Sequence, residues 1–262
     1  MKNNRFYTTQ LQAGLGLIEE TRTLLDLWQS GMKAPNLFQA ALDSGYFPNI
    51  SARRLRNIVS ECFAPRYLVS KDYPAIVLKK LKKRFSSSEF SQMLFLFTAR
   101  ANLILADFVK MVYWNRYSSG HDTISNDAAR NFVIQANQQG KTTRPWSEST
   151  VRRVSAYLTG CCADFGMLEN GRIAVRKIVP CRIEQTTIAL MAYDLHFSGL
   201  GDNALISHPD WELFGLKNED LTDELKRLAL KGFFIIQTAG DVIRIGWSYK
   251  NWEDLIHVIT EI

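Results

Sequence analysis

Between Thr143 and Tyr157 the chain collects side chains suited to holding an anion: Thr143, Arg144, Trp146, Ser149, Arg152, Arg153 and Tyr157. A guanidinium presents a planar fork of N–H donors that matches a phosphate or a guanine edge, and hydroxyls donate to phosphate oxygens. Arg172 and Arg176 follow an Asn170–Gly171 turn, and Arg53, Arg54 and Arg56 crowd the opening turns of an earlier helical pattern. What these residues offer is recognition of a polyanion, with no bond made or broken.

Residues for bond-making chemistry do not fall into order. His121, His196, His208 and His257 are scattered, with no H-x-x-x-H or H-E-x-x-H spacing. Gly14–Leu15–Gly16 lacks the third glycine of a dinucleotide loop and follows no strand, and no G-x-S-x-G elbow is present. Glu19–Glu20 and Glu219–Asp220 lie on polar helix ends, where solvation and the helix dipole account for them. Cys62, Cys161, Cys162 and Cys181 form no C-x-x-C pair and have no histidine at zinc spacing. The chain therefore reads as non-enzymatic, with no cofactor and no metal, and as a reduced intracellular protein.

The elements that must position the arginines follow from periodicity and turn chemistry. A helical pattern runs from Ser125 to about Gln138, and a polar connection follows through Thr142, Thr143, Arg144, Pro145 and Trp146. A second helical pattern runs from Ser149 to about Phe165, capped by Ser147 or Ser149, with Val151, Val154, Leu158, Cys161, Cys162 and Phe165 on one buried stripe. Its other face carries Arg152, Arg153, Ala156 and Tyr157 and either meets DNA or is an ordinary solvated face. Asn170–Gly171 between apolar runs signals a hairpin spanning Met167 to Val179, with Arg172, Ala174 and Arg176 on one side of the strand. Helix, turn, helix and hairpin is the plan of a winged helix-turn-helix, whose second helix enters the major groove.

Charge is distributed unevenly. The 262 residues carry a net +6 with pI near 9.1, on an ordinary globular composition of 46% hydrophobic and 22% charged residues. Residues 1–120 hold 17 Lys and Arg against 8 Asp and Glu, residues 121–183 hold 9 against 5, and residues 184–262 hold 6 against 13. A polyanion is expected to meet the first two segments and be repelled by the third. The start of the chain shows no apolar signal core, and Arg100, Asn102, Asp107 and Lys110 interrupt the apolar run from Met93 to Trp114. The expectation is a cytoplasmic protein with no membrane partner.

Taken in order, residues 1–13 form a polar lead, possible as an extended arm, and a helix follows from Gly14 to about Gln29. A short helix after Pro35 and one capped by Ser51 come next. The three arginines of that helix oppose its dipole, so either an anionic partner relieves them or they find ordinary ion pairs. Tyr73 to Phe85 is helical and closes on Lys79, Lys80, Lys82, Lys83 and Arg84, a run that the dipole stabilises and that also suits a nucleic-acid contact. A long helix follows from Glu89 to about Tyr117, and Ser118–Ser119–Gly120 marks a boundary. After Glu184 come a helix, a short helix at His208, a helix from Asp220 to Lys231, a hairpin over Phe233–Trp247 and a last helix from Asp254. That order repeats the winged-helix plan, but Asp220, Asp223 and Glu224 would repel phosphates, so this copy is assigned to protein binding or packing.

At Phe95–Val109, with Arg100, Asn102 and Asp107, and at Ser149–Val154 through Phe165–Leu168, the chain resembles the BrxA family of bacteriophage-exclusion (BREX) defence systems. Ala13–Leu15 with Glu19–Glu20, and Ser51–Leu55, are also similar to the family's N-terminal pattern; the resemblance covers about residues 10–180. It implies a non-enzymatic DNA-binding accessory protein acting beside a methyltransferase and ATPases. A proposed similarity of the family's helical part to the antitermination factor NusB also keeps RNA open as a ligand.

The expected fold is mainly α with small β-hairpins. A helical N-terminal domain spans 1–119, a basic winged helix-turn-helix 120–183, and an acidic winged-helix-like domain 184–262. The expected function is binding of double-stranded DNA with modest sequence preference, with a protein-interaction scaffold or an RNA-binding factor as alternatives. Arg152 and Arg153 are the first candidates for contact; Ser149, Thr143, Arg144 and Tyr157 surround them. Arg172 and Arg176 would hold the backbone from the wing, and Arg53, Arg54 and Arg56 form a further basic cluster.

Overall fold

The computed structural model of the chain describes residues 6–171, 173–239 and 242–261. It is mostly helical, with two small antiparallel sheets. Two compact units form, one from residues 1–79 and 94–181 and the other from 80–93 and 182–262.

The first part of the chain supplies α1 (Ile18–Leu27), α2 (Ala34–Asp43), α3 (Ala52–Asn57), α4 (Ala64–Tyr67), α5 (Tyr73–Leu81) and α6 (Ser87–Ala101). It continues through α7 (Leu103–Phe108), α8 (Trp114–Ser118), β1 (Thr123–Ser125), α9 (Asn126–Gln138), α10 (Glu148–Asp164) and β2 (Val175–Lys177). Serines set the starts. Ser51 Oγ accepts from Arg54 N at 3.3 Å, Ser125 Oγ from Ala128 N at 3.1 Å, and Ser147 Oγ from Thr150 N at 3.4 Å. Ser86 and Glu89 exchange backbone-to-side-chain bonds of 2.7 and 3.1 Å, a capping box. Leu24, Trp28, Leu55, Phe63, Tyr67, Leu96, Phe108, Val133 and Leu158 are buried in the core of the first unit.

Several expectations are corrected. The single long helix from Glu89 to Tyr117 is two helical stretches, Ser87–Ala101 and Leu103–Ser118, bent by 112°. Asn102 makes the break with φ −128° and ψ 89°, and its Nδ2 donates to Thr98 O at 2.8 Å. A buried carbonyl near the bend thereby keeps a partner, as Asn side chains can provide where they compete with helical bonding. Among the described residues no single helix is long and apolar enough to cross a membrane. The helix expected from Gly14 begins at Ile18, because Leu17 takes a left-handed φ of 50°. The Tyr73 helix stops at Leu81, short of Phe85. From Tyr7 on the polar lead is packed: Tyr7 and Leu11 are buried, and Gln10–Ala13 is a 3-10 turn.

The Asn170–Gly171 turn does reverse the chain. Val179 N donates to Met167 O at 2.9 Å, and Leu168 bridges Ile178 antiparallel. The strand's longer pairing is with β1, where Ile124 faces Arg176 and Thr123 faces Lys177. β1 has only three residues, too few for alternation to show in sequence.

The second unit contains α11 (Gln185–Phe197), α12 (Asp202–Ile206), α13 (Asn218–Leu230), β3 (Phe234–Ala239), β4 (Val242–Trp247) and α14 (Trp252–Glu261). β3 and β4 pair antiparallel from Phe234↔Trp247 to Ala239↔Val242; the Gly240–Asp241 turn expected there lies outside the described residues. Tyr193 anchors the interior, its ring centroid 4.9 Å from that of Trp247 and its hydroxyl donating to Phe233 O.

Candidate nucleic-acid interface

The connection between α9 and α10 is built on one side chain. Asn137 Nδ2 donates to Trp146 O at 3.1 Å, while Asn137 Oδ1 accepts from Trp146 N at 2.8 Å and from Thr142 Oγ1 at 3.1 Å. Those bonds fix where α10 begins. Val151, Val154, Ser155, Leu158, Cys161 and Cys162 turn inward, so Ser149, Arg152, Arg153 and Ala156 are exposed and Tyr157 is half-buried. Among the described residues neither Arg152 nor Arg153 has a hydrogen-bond or ion-pair partner, which leaves both guanidiniums available.

The packed N-terminal arm frames this helix start. Tyr7 N donates to Lys141 O at 2.7 Å, Tyr7 bridges Thr142 in parallel, and Tyr7 Oη donates to Asp107 Oδ2 at 2.5 Å. Thr8, Thr9 and Gln12 consequently face the connection and α10 across a cleft of about 570 Å³, completed by Thr143, Arg144, Pro145, Trp146, Ser147, Thr150 and Arg153. Among the described residues the lining has two guanidiniums, several hydroxyls and no carboxylate, a composition favourable to phosphate. A second cleft, about 510 Å³, is lined by Thr8, Thr9 and Gln12 together with Arg54, Asn57 and Glu61.

Beyond the arm, the segment 14–17 covers the other half of α10. Gly16 N donates to Asp164 Oδ2 at 2.9 Å, and a Cβ at Gly16 would stand 2.6 Å from Asp164 Cβ. Arg66, only 3% exposed, holds the segment from beneath: Nη1 donates to Leu15 O at 2.8 Å and Nη2 to Gly14 O at 2.6 Å. The C-terminal half of α10 is thus committed to packing and its N-terminal half is open.

The other expected contact residues divide. Arg53 is exposed, but Arg54 donates to Ala13 O, and Arg56 lies over the Phe38 ring at 5.0 Å. These are partners within the fold, and they engage two of the three arginines of α3. Lys79, likewise, donates to Trp28 O and, at 3.2 Å, to Asp26 O. Arg176 is half-buried on the face it shares with Ile124, and its Nη1 donates to Glu169 O at 2.7 Å, bracing the turn. The strand's open face is the opposite one, with Val175 and Lys177 exposed. Arg172 lies outside the described residues. Thr8, Thr9, Gln12, Asn137 and Lys177 were not anticipated; the i, i+4 spacing of Tyr7 and Leu11 is the signal that the lead packs and turns its polar residues outward.

Nucleophile chemistry is disfavoured at this helix. Burial pushes the Cys161 thiol up to about 12, and Cys162 well above the ordinary thiol range, so both remain protonated. Among the described residues no group of three or more His, Cys, Asp or Glu is placed to hold a metal ion.

Fold and surface together define a mostly helical protein that presents the cationic, hydroxyl-rich start of one helix, framed by its own N-terminal arm. The chain belongs to the BrxA family, whose model matches residues 5–193. It is also similar in fold to the crystal structure of an uncharacterized protein from Magnetospirillum magneticum, with a TM-score of 0.56 and 14% identity over 73% of this chain and 94% of that one. No curated protein matches the chain.

Proposed function

We propose that this BrxA-family chain is a non-enzymatic accessory protein of BREX antiphage defence that binds duplex DNA through a winged helix-turn-helix. In this reading α9, the connection and α10 are the helix-turn-helix, and β1, the 168–178 turn and β2 are the wing. The observation that carries it is the pair Arg152 and Arg153, exposed and, among the described residues, without partners and next to a cleft with no carboxylate. The open half of α10 enters the major groove, with Arg152 toward the phosphates of the groove wall and Ser149 beside it. A backbone phosphate occupies the cleft, met by Arg144, Arg153 and the hydroxyls of Thr8, Thr9 and Thr143, and Lys177 meets the backbone from the wing. Family membership supports association with other BREX proteins, among them the methyltransferase and ATPases.

The test is a mobility-shift titration of a duplex at several salt concentrations. Wild type should show affinity falling steeply with salt, and Arg152→Ala/Arg153→Ala should lower the log–log slope by about two units, about one per lost phosphate contact. An unchanged slope and affinity in a folded double variant removes the helix from the interface. Single-stranded and duplex RNA competitors run beside the duplex DNA test the RNA alternative.

A further inference from the structure

A second cleft adjoins the first across the N-terminal arm. Thr8, Thr9 and Gln12 line both, so these arm residues are the wall the two spaces share. The far wall of the second cleft is α3 and the π-helical stretch that continues it, Ile58–Phe63, which bring Arg54, Asn57 and Glu61 to one space of about 510 Å³. That volume falls in the range of about 300–1,000 Å³ usual for small-molecule sites. Charge distinguishes the two clefts. Among the described residues the first has guanidiniums and no carboxylate, whereas the second has one guanidinium and one carboxylate. Those two groups do not pair with each other: Arg54 donates to Ala13 O, and among the described residues neither Glu61 nor Asn57 has a hydrogen-bond or ion-pair partner.

A carboxylate repels phosphate and accepts from N–H groups, so a ligand that fills both clefts carries phosphate at one end and N–H donors beside acceptors at the other. A guanine base has that second end. Its N1–H and N2–H groups are neighbours and suit one carboxylate, while O6 and N7 accept from the remaining N–H groups of a guanidinium. Adenine and cytosine place an acceptor beside their single amino group on the same edge, and thymine and uracil have one N–H between two acceptors. We propose that the paired clefts bind a 5′-phosphorylated guanine nucleotide, with its phosphate at Arg144 and Arg153, its sugar over the arm at Thr9 and Gln12, and its base between Arg54 and Glu61. The proposal rests on the phosphate assignment of the first cleft and adds the base. A guanine paired inside a duplex cannot enter, because cytosine already occupies that edge; a free nucleotide and the 5′ end of a single strand both can. The nucleotide and a duplex phosphate are alternative occupants of the first cleft.

Isothermal titration calorimetry of the full chain with 5′-GMP, 5′-AMP, guanosine and inorganic phosphate reads the site. GMP is expected to bind at least tenfold more tightly than each of the other three. Glu61→Gln puts a donor and an acceptor where two acceptors stood, which matches the amino group and N1 of adenine, so the preference should pass from GMP to AMP. Glu61 is exposed, so the variant should fold, and a purely structural role for it would not exchange one base for another. Arg144→Ala/Arg153→Ala should weaken GMP and keep the choice of base. A single-stranded oligonucleotide beginning with 5′-phosphorylated dG separates the sources: binding tighter than GMP assigns a strand end, and binding equal or weaker assigns the free nucleotide. GMP no tighter than AMP, guanosine or inorganic phosphate, or a base preference unchanged in folded Glu61→Gln, overturns the proposal. That failure is separable from failure of the DNA reading, because Glu61→Gln leaves Arg152 and Arg153 in place and its duplex affinity is measured in parallel.

Discussion

At the residue scale, much of the stability of the presented surface rests on a buried cation that touches no ligand. Arg66 satisfies the carbonyls of Gly14 and Leu15, and that segment in turn covers Gly160 and Asp164 of α10. Arg66→Met keeps the apolar volume and leaves both carbonyls without their donors, at a cost of about 3 kcal/mol, read as a lower urea midpoint. The thiols make a second expectation. Cys62, Cys161 and Cys162 are buried and Cys181 is half-buried, so a thiol reagent should label Cys181 first and the other three only on unfolding. His196 makes a third. Its ring stacks on Trp247 at 4.1 Å, and burial holds its pKa below the usual 6.5, with Asp202 opposing. The unfolded chain takes up a proton that the folded one resists, so the stability is complete above about pH 6.5 and declines as pH falls below it. His196→Gln should flatten that decline in melts recorded between pH 7.5 and 5.

At the element scale, the turn before α10 depends on Asn137, because three of its hydrogen bonds set the distance between two helices. Asn137→Ala removes them together and should cost about 2–3 kcal/mol. It should also weaken duplex binding beyond what the lost stability explains, since Arg144 and Thr143 would no longer be fixed relative to Arg153; comparing the affinity with the folded fraction separates the two effects. The helices themselves were legible in sequence. Serine caps at Ser51, Ser125 and Ser147 and the stripe of Val151, Val154 and Leu158 are local signals, and the elements lie where they point. Illegible features were those decided by contacts distant in sequence. β1 is short and exists only against β2, Asn102 bends an otherwise continuous apolar pattern, and Arg54 and Arg56 are engaged by Ala13 and Phe38. Arg176 is expected to reach the backbone from the wing, whereas it is half-buried opposite Ile124; a period of two fixes which residues share a face, not which face is buried.

At the scale of the whole molecule, charge and connectivity follow different boundaries. The negative excess begins near residue 184, but the unit that carries it also takes in residues 80–93 from far upstream. Within that unit, Gln92 Nε2 donates to Arg182 O at 2.8 Å and Gln92 Oε1 accepts from Glu184 N at 2.9 Å, while Phe90 and Met93 are buried. A chain cut after residue 181 therefore removes the acidic helices and also takes from Gln92 its two backbone partners at Arg182 and Glu184, leaving 80–93 without the rest of its unit. Such a fragment should bind a hydrophobic dye and unfold over a broad range at lower temperature than the full chain. A truncation that melts as cooperatively as wild type, with no dye binding, would show that 80–93 folds without the rest of its unit. If the expected outcome holds, loss of DNA binding in the truncated chain says nothing about the acidic surface. The role of that surface has to be read instead from point charge reversals such as Glu219→Lys/Asp220→Lys, which alter the field and leave the interlocked segments in place.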